Sequence, residues 1–82
     1  MTTLINGTGK VVGMSNSAIK EAILGDTSIV SVKGNDDVNI SYFNSDLGDE
    51  VVVSDGHNTE NYDVDTEMNE AINSFMKICE QD

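Results

Sequence analysis

The stretch Val38–Ser54, VNISYFNSDLGDEVVVS, predicts two neighbouring β-strands joined by a turn. Val38, Ile40 and Tyr42 alternate with polar residues, which is the period of a strand with one buried face. The turn-forming residues of NSDLGD follow, and three consecutive valines then indicate a strand near the centre of a sheet. Because the connection is short, we expect the two strands to pair antiparallel.

Further strands are predicted before this pair. Residues 28–33, SIVSVK, form a strand-like run that ends at the turn residues GNDD, so a meander of three strands is the simplest topology. Nearer the start, Asn6-Gly7 lies between Thr3–Ile5 and Lys10–Val12. Asn-Gly is a strong signal for a hairpin with a type I′ turn, in which both central residues have positive φ. The polar residues 54–65, SDGHNTENYDVD, predict a surface loop.

Two helices complete the predicted fold. Ser15, Asn16 and Ser17 are candidate N-caps for a short helix over residues 16–24, which Gly25 ends as its C′ residue. A longer amphipathic helix is predicted from Thr66 to Glu80. Its apolar residues recur at helical spacing, so we expect them to pack on the sheet: Met68, Ile72, Phe75 and Cys79.

These elements predict one α+β domain over residues 1–82, with a small antiparallel sheet of three to five strands and both helices packed on it. A chain this short buries only about 60–65% of its unfolded surface, so its core is small. The single cysteine excludes an intrachain disulfide. The chain starts without a recognisable signal peptide, and no apolar run approaches the about 20 residues that span a bilayer. We therefore expect a reducing, cytoplasmic environment and no membrane partner.

Charge is the most unusual property of the sequence. Fifteen acidic residues stand against four lysines, for a formal net charge of −11. Residues 1–34 are nearly neutral, with three lysines against two acids, whereas residues 35–82 carry thirteen acids against one lysine. Direct nucleic-acid binding is disfavoured because it needs a basic footprint, whereas a basic protein surface is a favoured partner. Solubility alone is the alternative explanation of the charge.

The Gly-rich run Gly7-Thr8-Gly9-Lys10 invites comparison with phosphate-binding loops. In the pattern G-x-x-x-x-G-K-[ST], the first glycine would fall on Leu4 and the Mg²⁺-binding hydroxyl on Val11. Both positions fail, and the following VVGM does not open a helix. The run is therefore interpreted as a turn, and we expect no nucleotide cofactor.

Metal and catalytic sites are also disfavoured. Asp63, Asp65 and Glu67 alternate like the start of a calcium loop, but the glycine that such a loop needs at its sixth position is replaced by Met68. His57 is the only histidine, and its default role is that of a solvated loop residue. Cys79 lies at core spacing on its helix. We predict no metal, no cofactor and no enzymatic activity; an enzyme with a site shared between subunits is the remaining alternative.

The sequence therefore predicts a small acidic protein-interaction module, for example an inhibitor that mimics the charge of nucleic acid. In size and charge alone it is similar to phage-encoded inhibitors, and no family motif is matched. The alternative is a structural or assembly subunit, for example of a virus, that acts by homo-oligomerisation. The candidate partner-binding residues are acids of the second half: Asp36, Asp37, Asp46, Asp49, Glu50, Asp55, Glu60, Asp63, Asp65, Glu67 and Glu70.

Overall fold

Within residues 2–80, six antiparallel strands form one sheet, in the spatial order Val11–Val12, Leu4–Asn6, Ile29–Val32, Asn35–Ser45, Gly48–Asp55 and Thr59–Asp63. The structure is a computed structural model that describes residues 2–80, with Asp26 described by its backbone alone. Along the chain the elements are β1 Leu4–Asn6, β2 Val11–Val12, α1 Asn16–Glu21, a π-helical turn Ala22–Asp26, β3 Ile29–Val32, β4 Asn35–Ser45, β5 Gly48–Asp55, β6 Thr59–Asp63 and α2 Val64–Glu80. The predicted α+β class is confirmed.

Both helices contribute to one core on a single face of the sheet. Ile19 of α1 and Ile72 and Phe75 of α2 have no exposed surface, and they belong to the same cluster as Val30 and Ile40 of the central strands. The strand residues that alternate with these point to the opposite face, which no described helix covers. We call this opposite surface the open face.

The number of strands was predicted wrongly, since the sheet has six rather than three to five. Strand β6, Thr59–Asp63, lies within the stretch predicted as a surface loop and pairs with β5 from Glu50↔Asp63 to Ser54↔Thr59. It is an edge strand in which only Tyr62 is partly buried. A strand that buries so little shows no apolar alternation, and charged residues are a common protection of an edge.

The first hairpin is confirmed, but its turn is not of type I′. Leu4 pairs with Val12 and Ile5 with Val11, and the Gly9 N–H donates to the carbonyl of Asn6 at 3.0 Å. Gly9 has φ +89°, whereas neither Asn6 nor Gly7 has a positive φ. Asn at the first position and Gly at the fourth suit a type I turn that closes with a left-handed glycine.

The short helix begins as predicted and ends differently. The Ser15 hydroxyl caps α1 by accepting the Ala18 N–H at 3.2 Å. Beyond Glu21 the chain continues as the π-helical turn, so Gly25 lies inside that turn and is not a left-handed C′ residue. The only described non-glycine residue with positive φ is Ser28, at 64°, immediately before β3. The chain therefore reverses three residues later than the position of Gly25 predicts.

The long hairpin of β4 and β5 extends beyond both neighbouring strands. Ser41 is the last residue of β4 that has a Cα partner in β3, namely Ile29, and Glu50 is the first residue of β5 that pairs with β6. Residues 43–49, here called the hairpin tip, therefore project as a two-stranded ribbon, about 10 Å long at the usual rise per residue. No helix within residues 2–80 is long and apolar enough to cross a membrane.

Candidate acidic interaction surface

The predicted partner-binding acids lie mainly in two groups at opposite ends of the β4–β5 hairpin. One group surrounds the hairpin tip and the start of α2: Asp46, Asp49, Glu50, Asp63, Asp65 and Glu67. The other lies at the β3–β4 and β5–β6 turns: Asp36, Asp37 and Asp55. Asp55 and Glu50 are five residues apart along β5, and Asp46 follows Asp37 by nine residues, so members of the two groups are about 17–30 Å apart at the usual rise per residue. Glu60 and Glu70 belong to neither group.

Five carboxylates of the first group line a hollow of about 460 Å³, which we call the acidic hollow. It lies in the corner between the hairpin tip, the end of β6 and the first turn of α2. No described residue that lines it is basic. Its lining consists of Leu47, Gly48, Asp49, Glu50, Asn61, Tyr62, Asp63, Asp65 and Glu67.

Hydrogen bonds around the start of α2 fix two of these acids in place. The Asp65 N–H donates to Asp63 Oδ1 at 3.0 Å, and the Asp63 N–H donates to Glu67 Oε1 at 3.2 Å. Both carboxylates thus accept backbone donors at a helix N-terminus, where negative charge is also favoured by the helix dipole. The local sequence DVDTE therefore supplies a helix cap and part of the hollow at once.

The strand register places like charges opposite each other in the same hollow. Glu50 and Asp63 are directly paired across β5 and β6. Such a pair is destabilising in a sheet, because two carboxylates on one face repel. The Asn61 amide donates to Glu50 Oε2 at 3.3 Å, which offers Glu50 a neutral partner rather than a cation. The hollow is therefore a region of concentrated negative charge.

Tyr42 connects the hollow to the core, because its partly buried ring packs against the core cluster. Its hydroxyl donates to Asp49 Oδ2 at 2.6 Å. That hydrogen bond raises the pKa of Tyr42 above its ordinary value of 10.0, and partial burial and the charges of Asp49 and Asp65 add to it. The phenol therefore keeps its proton to a higher pH than an ordinary tyrosine does, and it donates that proton to a carboxylate that lines the hollow.

Asp55, in the second group, has a structural role. Its Oδ1 accepts the N–H groups of Asn58 at 2.7 Å and of His57 at 2.8 Å. These two hydrogen bonds, the Asn58 bond foremost, hold the pKa of Asp55 below its ordinary value of 3.8. Asp55 thus organises the β5–β6 turn, which leaves Asp36 and Asp37 as the acids of this group without such a turn role.

Glu60 and Glu70 both raise the pKa of the Tyr62 hydroxyl. The Tyr62 hydroxyl donates to Glu60 Oε2 at 2.7 Å. A hydrogen bond with Ser74 lowers the pKa of Tyr62. The bond to Glu60, partial burial and the charges of the two glutamates outweigh it, so the pKa of Tyr62 is raised from 10.0. The two glutamates therefore extend the acidic surface from β6 onto α2.

The Gly-rich loop has no backbone donors left for a phosphate. The side-chain oxygen of Asn6 accepts the N–H groups of Thr8 and Lys10, and its carbonyl accepts that of Gly9. The Gly7 N–H donates to Thr27 Oγ1 at 2.7 Å. A phosphate-binding loop uses such N–H groups for its ligand. In this loop they are already bonded to Asn6 and Thr27.

Two residues of the surface were missed by sequence reasoning. Leu47 is fully exposed at the hairpin tip and lines the acidic hollow, and Phe43 is 57% exposed beside it. An isolated leucine inside the polar turn NSDLGD was the available signal for the first. Within residues 2–80, no group of three or more His, Cys, Asp or Glu side chains is arranged to hold a metal ion.

Comparison with known proteins supplies no relative for this surface. No protein-family model, curated protein or solved structure matches the chain.

Proposed function

We propose that this chain is a small acidic interaction module that binds a basic protein surface, with the acidic hollow as its principal contact. The observation that carries the proposal is the set of five carboxylates in the hollow, lined by no described basic residue. Clustered carboxylates that the fold leaves without cations attract lysine and arginine and accelerate association with a basic partner.

An inhibitor that imitates nucleic acid is the form of this function that the charge layout supports best. Duplex DNA carries one negative charge per about 1.7 Å of its axis and completes a turn in about 34–36 Å. The molecule is 36 Å long, and members of its two acidic groups lie about 17–30 Å apart along the β4–β5 hairpin. A basic groove that follows one turn of DNA could contact both groups. A cytoplasmic location and the absence of enzymatic activity belong to the same proposal.

Binding of a fluorescent decalysine peptide, measured by anisotropy, tests the proposal. We expect salt-dependent binding that weakens at least about tenfold when salt rises from about 50 to about 200 mM. The variant Glu50→Gln/Asp65→Asn removes two charges from the hollow. The control Glu21→Gln/Glu80→Gln removes the same net charge from exposed sites outside it.

The outcome separates a site from a general charge effect. If the hollow is the contact, its variant loses several-fold more affinity than the control at the same net charge. Equal losses would show that only net charge matters, and the hollow would then not be the binding site. Binding that does not respond to salt would contradict the electrostatic basis of the proposal.

Self-association is the second candidate function, and the open face favours it. Ile29 and Val52 are only partly buried there, and Val11 at the edge strand β2 is 67% exposed. Val11 and Ile29 belong to the nearly neutral residues 1–34, and Val52 lies on β5 beside the edge strand β6. Sedimentation analysis at high protein concentration tests this candidate: it requires a dimer or larger species that Val11→Lys disrupts, and a monomer throughout would contradict it.

A further inference from the structure

The hairpin tip carries an apolar feature that charge alone does not explain. Leu47 is 101% exposed, which makes it the most exposed large apolar side chain of residues 2–80. It occupies the outermost part of the two-stranded ribbon, between β4 and β5. Phe43, 57% exposed, lies on the same ribbon directly opposite Glu50. Two large apolar side chains are therefore exposed in an otherwise acidic region.

The turn does not require a leucine at this place. Gly48, with φ +131°, supplies the unusual backbone conformation, and the Ser45 hydroxyl closes the turn by donating to the Gly48 carbonyl at 2.7 Å. Leu47 has no core contact to gain from its position. Burial of a leucine side chain is favourable, and this stabilisation remains available to a binding partner.

We infer that the hairpin tip binds basic segments that carry interleaved apolar residues. Leu47 and Phe43 contact the apolar side chains of such a segment, and the acidic hollow binds its lysines or arginines. The inference rests on the proposed function and names the chemistry of its partner. The geometry is favourable because Leu47 itself lines the hollow and Phe43 faces Glu50, a second lining residue. One extended or helical segment can therefore reach an apolar and a charged contact within one or two residues of each other.

Charge decides between this occupant and the others that an exposed leucine can attract. A second copy would bring its own net charge of −11 against the same carboxylates. An anionic membrane surface or a nucleic acid would meet the same repulsion. A basic, partly apolar protein segment satisfies both the carboxylates and the leucine, as electrostatic complementarity around an apolar anchor does in specific interfaces.

Two peptides of equal length and lysine content test the inference, one with leucine and the other with serine between the lysines. We expect the wild-type chain to bind the leucine peptide about tenfold more tightly than the serine peptide, since apolar contacts add to a shared charge term. Leu47→Ser/Phe43→Ser should abolish this preference, so that the variant binds the leucine and the serine peptide with equal affinity. The control Leu24→Ser/Met14→Ser alters two other exposed apolar residues, 49% and 43% exposed, and should keep the preference.

The two peptides also distinguish failure of the inference from failure of the proposed function. If both peptides bind with equal affinity and salt weakens their binding equally, the module binds basic partners but the hairpin tip does not contact their apolar residues. If neither binds, the proposed function and the inference both fail. Thermal unfolding of each variant confirms that a lost preference does not come from a lost fold.

Discussion

The hydroxyl of Tyr42 and the carboxylate of Asp49 are joined by a 2.6 Å hydrogen bond across β4 and β5. The two residues are diagonal neighbours, since Tyr42 pairs with Val51 and Asp49 with Asn44. This bond ties a side chain packed against the core to a carboxylate that lines the acidic hollow. This hydrogen bond therefore links the core to the candidate binding surface, and the ionisation of the Tyr42 hydroxyl that makes it can be measured.

We predict that Tyr42 ionises above the ordinary tyrosine pKa of 10.0, because its proton is held by Asp49. The neutral phenol is the favoured form, so the contribution of this bond to stability is present below that pKa and is lost as pH rises through the raised pKa of the folded protein. Ultraviolet titration of a Tyr62→Phe variant isolates Tyr42, the only other tyrosine. Adding Asp49→Asn should move the pKa back toward 10.0, and an unchanged titration would contradict the bond.

Asp55 is expected to give the opposite pH dependence. Its pKa is depressed by the Asn58 and His57 N–H groups, so its contribution to stability is full above its ordinary pKa of 3.8 and is lost as pH falls through the lower pKa of the folded state. Urea unfolding of wild type and Asp55→Ala should show a constant stability difference at neutral pH that shrinks in acid. Asp46→Ala removes one charge from the other turn and controls for net charge.

Two glycines provide a test of the first hairpin and of the π-helical turn. Neither would bring a new Cβ within 4 Å of another atom, but Gly9 has φ +89° and Gly25 does not have a positive φ. Gly9→Ala should therefore destabilise the fold by about 1–2 kcal/mol. Gly25→Ala should be neutral or stabilising by up to about 1 kcal/mol, because it restricts the unfolded chain. Chemical denaturation of both variants checks the contrast, and equal destabilisation would refute it.

The packing of α2 on the sheet predicts a large difference between two neighbouring helix positions. Phe75 has no exposed surface and lies in the core cluster, whereas Asn73 is exposed. Phe75→Ala should cost about 3–5 kcal/mol, since it leaves a cavity in a small core. Asn73→Ala should change stability by less than about 0.5 kcal/mol. Thermal or urea unfolding measures both, and similar values would place the apolar face of α2 elsewhere.

The parts of the fold that bury apolar residues at a regular period could be predicted from the sequence. The alternation of Val38 and Ile40 indicated β4, the valine run indicated β5, and the spacing of Met68, Ile72 and Phe75 indicated α2. Strand β6 could not be found in this way, because it sits at the sheet edge and contributes only Tyr62 to the packing. Its existence depends on pairing with β5, which no local pattern encodes.

The candidate surface was predictable as a set of charges and not as an arrangement. The acids near Asp49 and those near Asp65 are separated in sequence. The hollow forms because β6 pairs with β5 and because the first turn of α2 follows β6 directly. The turn at Gly9 shows the same limit at short range. Its type depends on the side chain of Asn6, which accepts the N–H groups of both Thr8 and Lys10.

Strand β1 and Thr2 before it contact parts of the molecule that are distant in sequence. Strands β3 to β6 follow one another as consecutive hairpins, and such local pairings form quickly. Strand β1 instead joins β3 across a gap of about 25 residues, and the hydroxyl of Thr2 donates to the carbonyl of Cys79 at 3.0 Å, 77 residues away. Since α2 supplies Phe75 and Ile72 to the core that Leu4 also enters, β1 gains these packing partners only when α2 is in place. We therefore expect β1 to dock on β3 late in folding, after α2 has packed on the sheet.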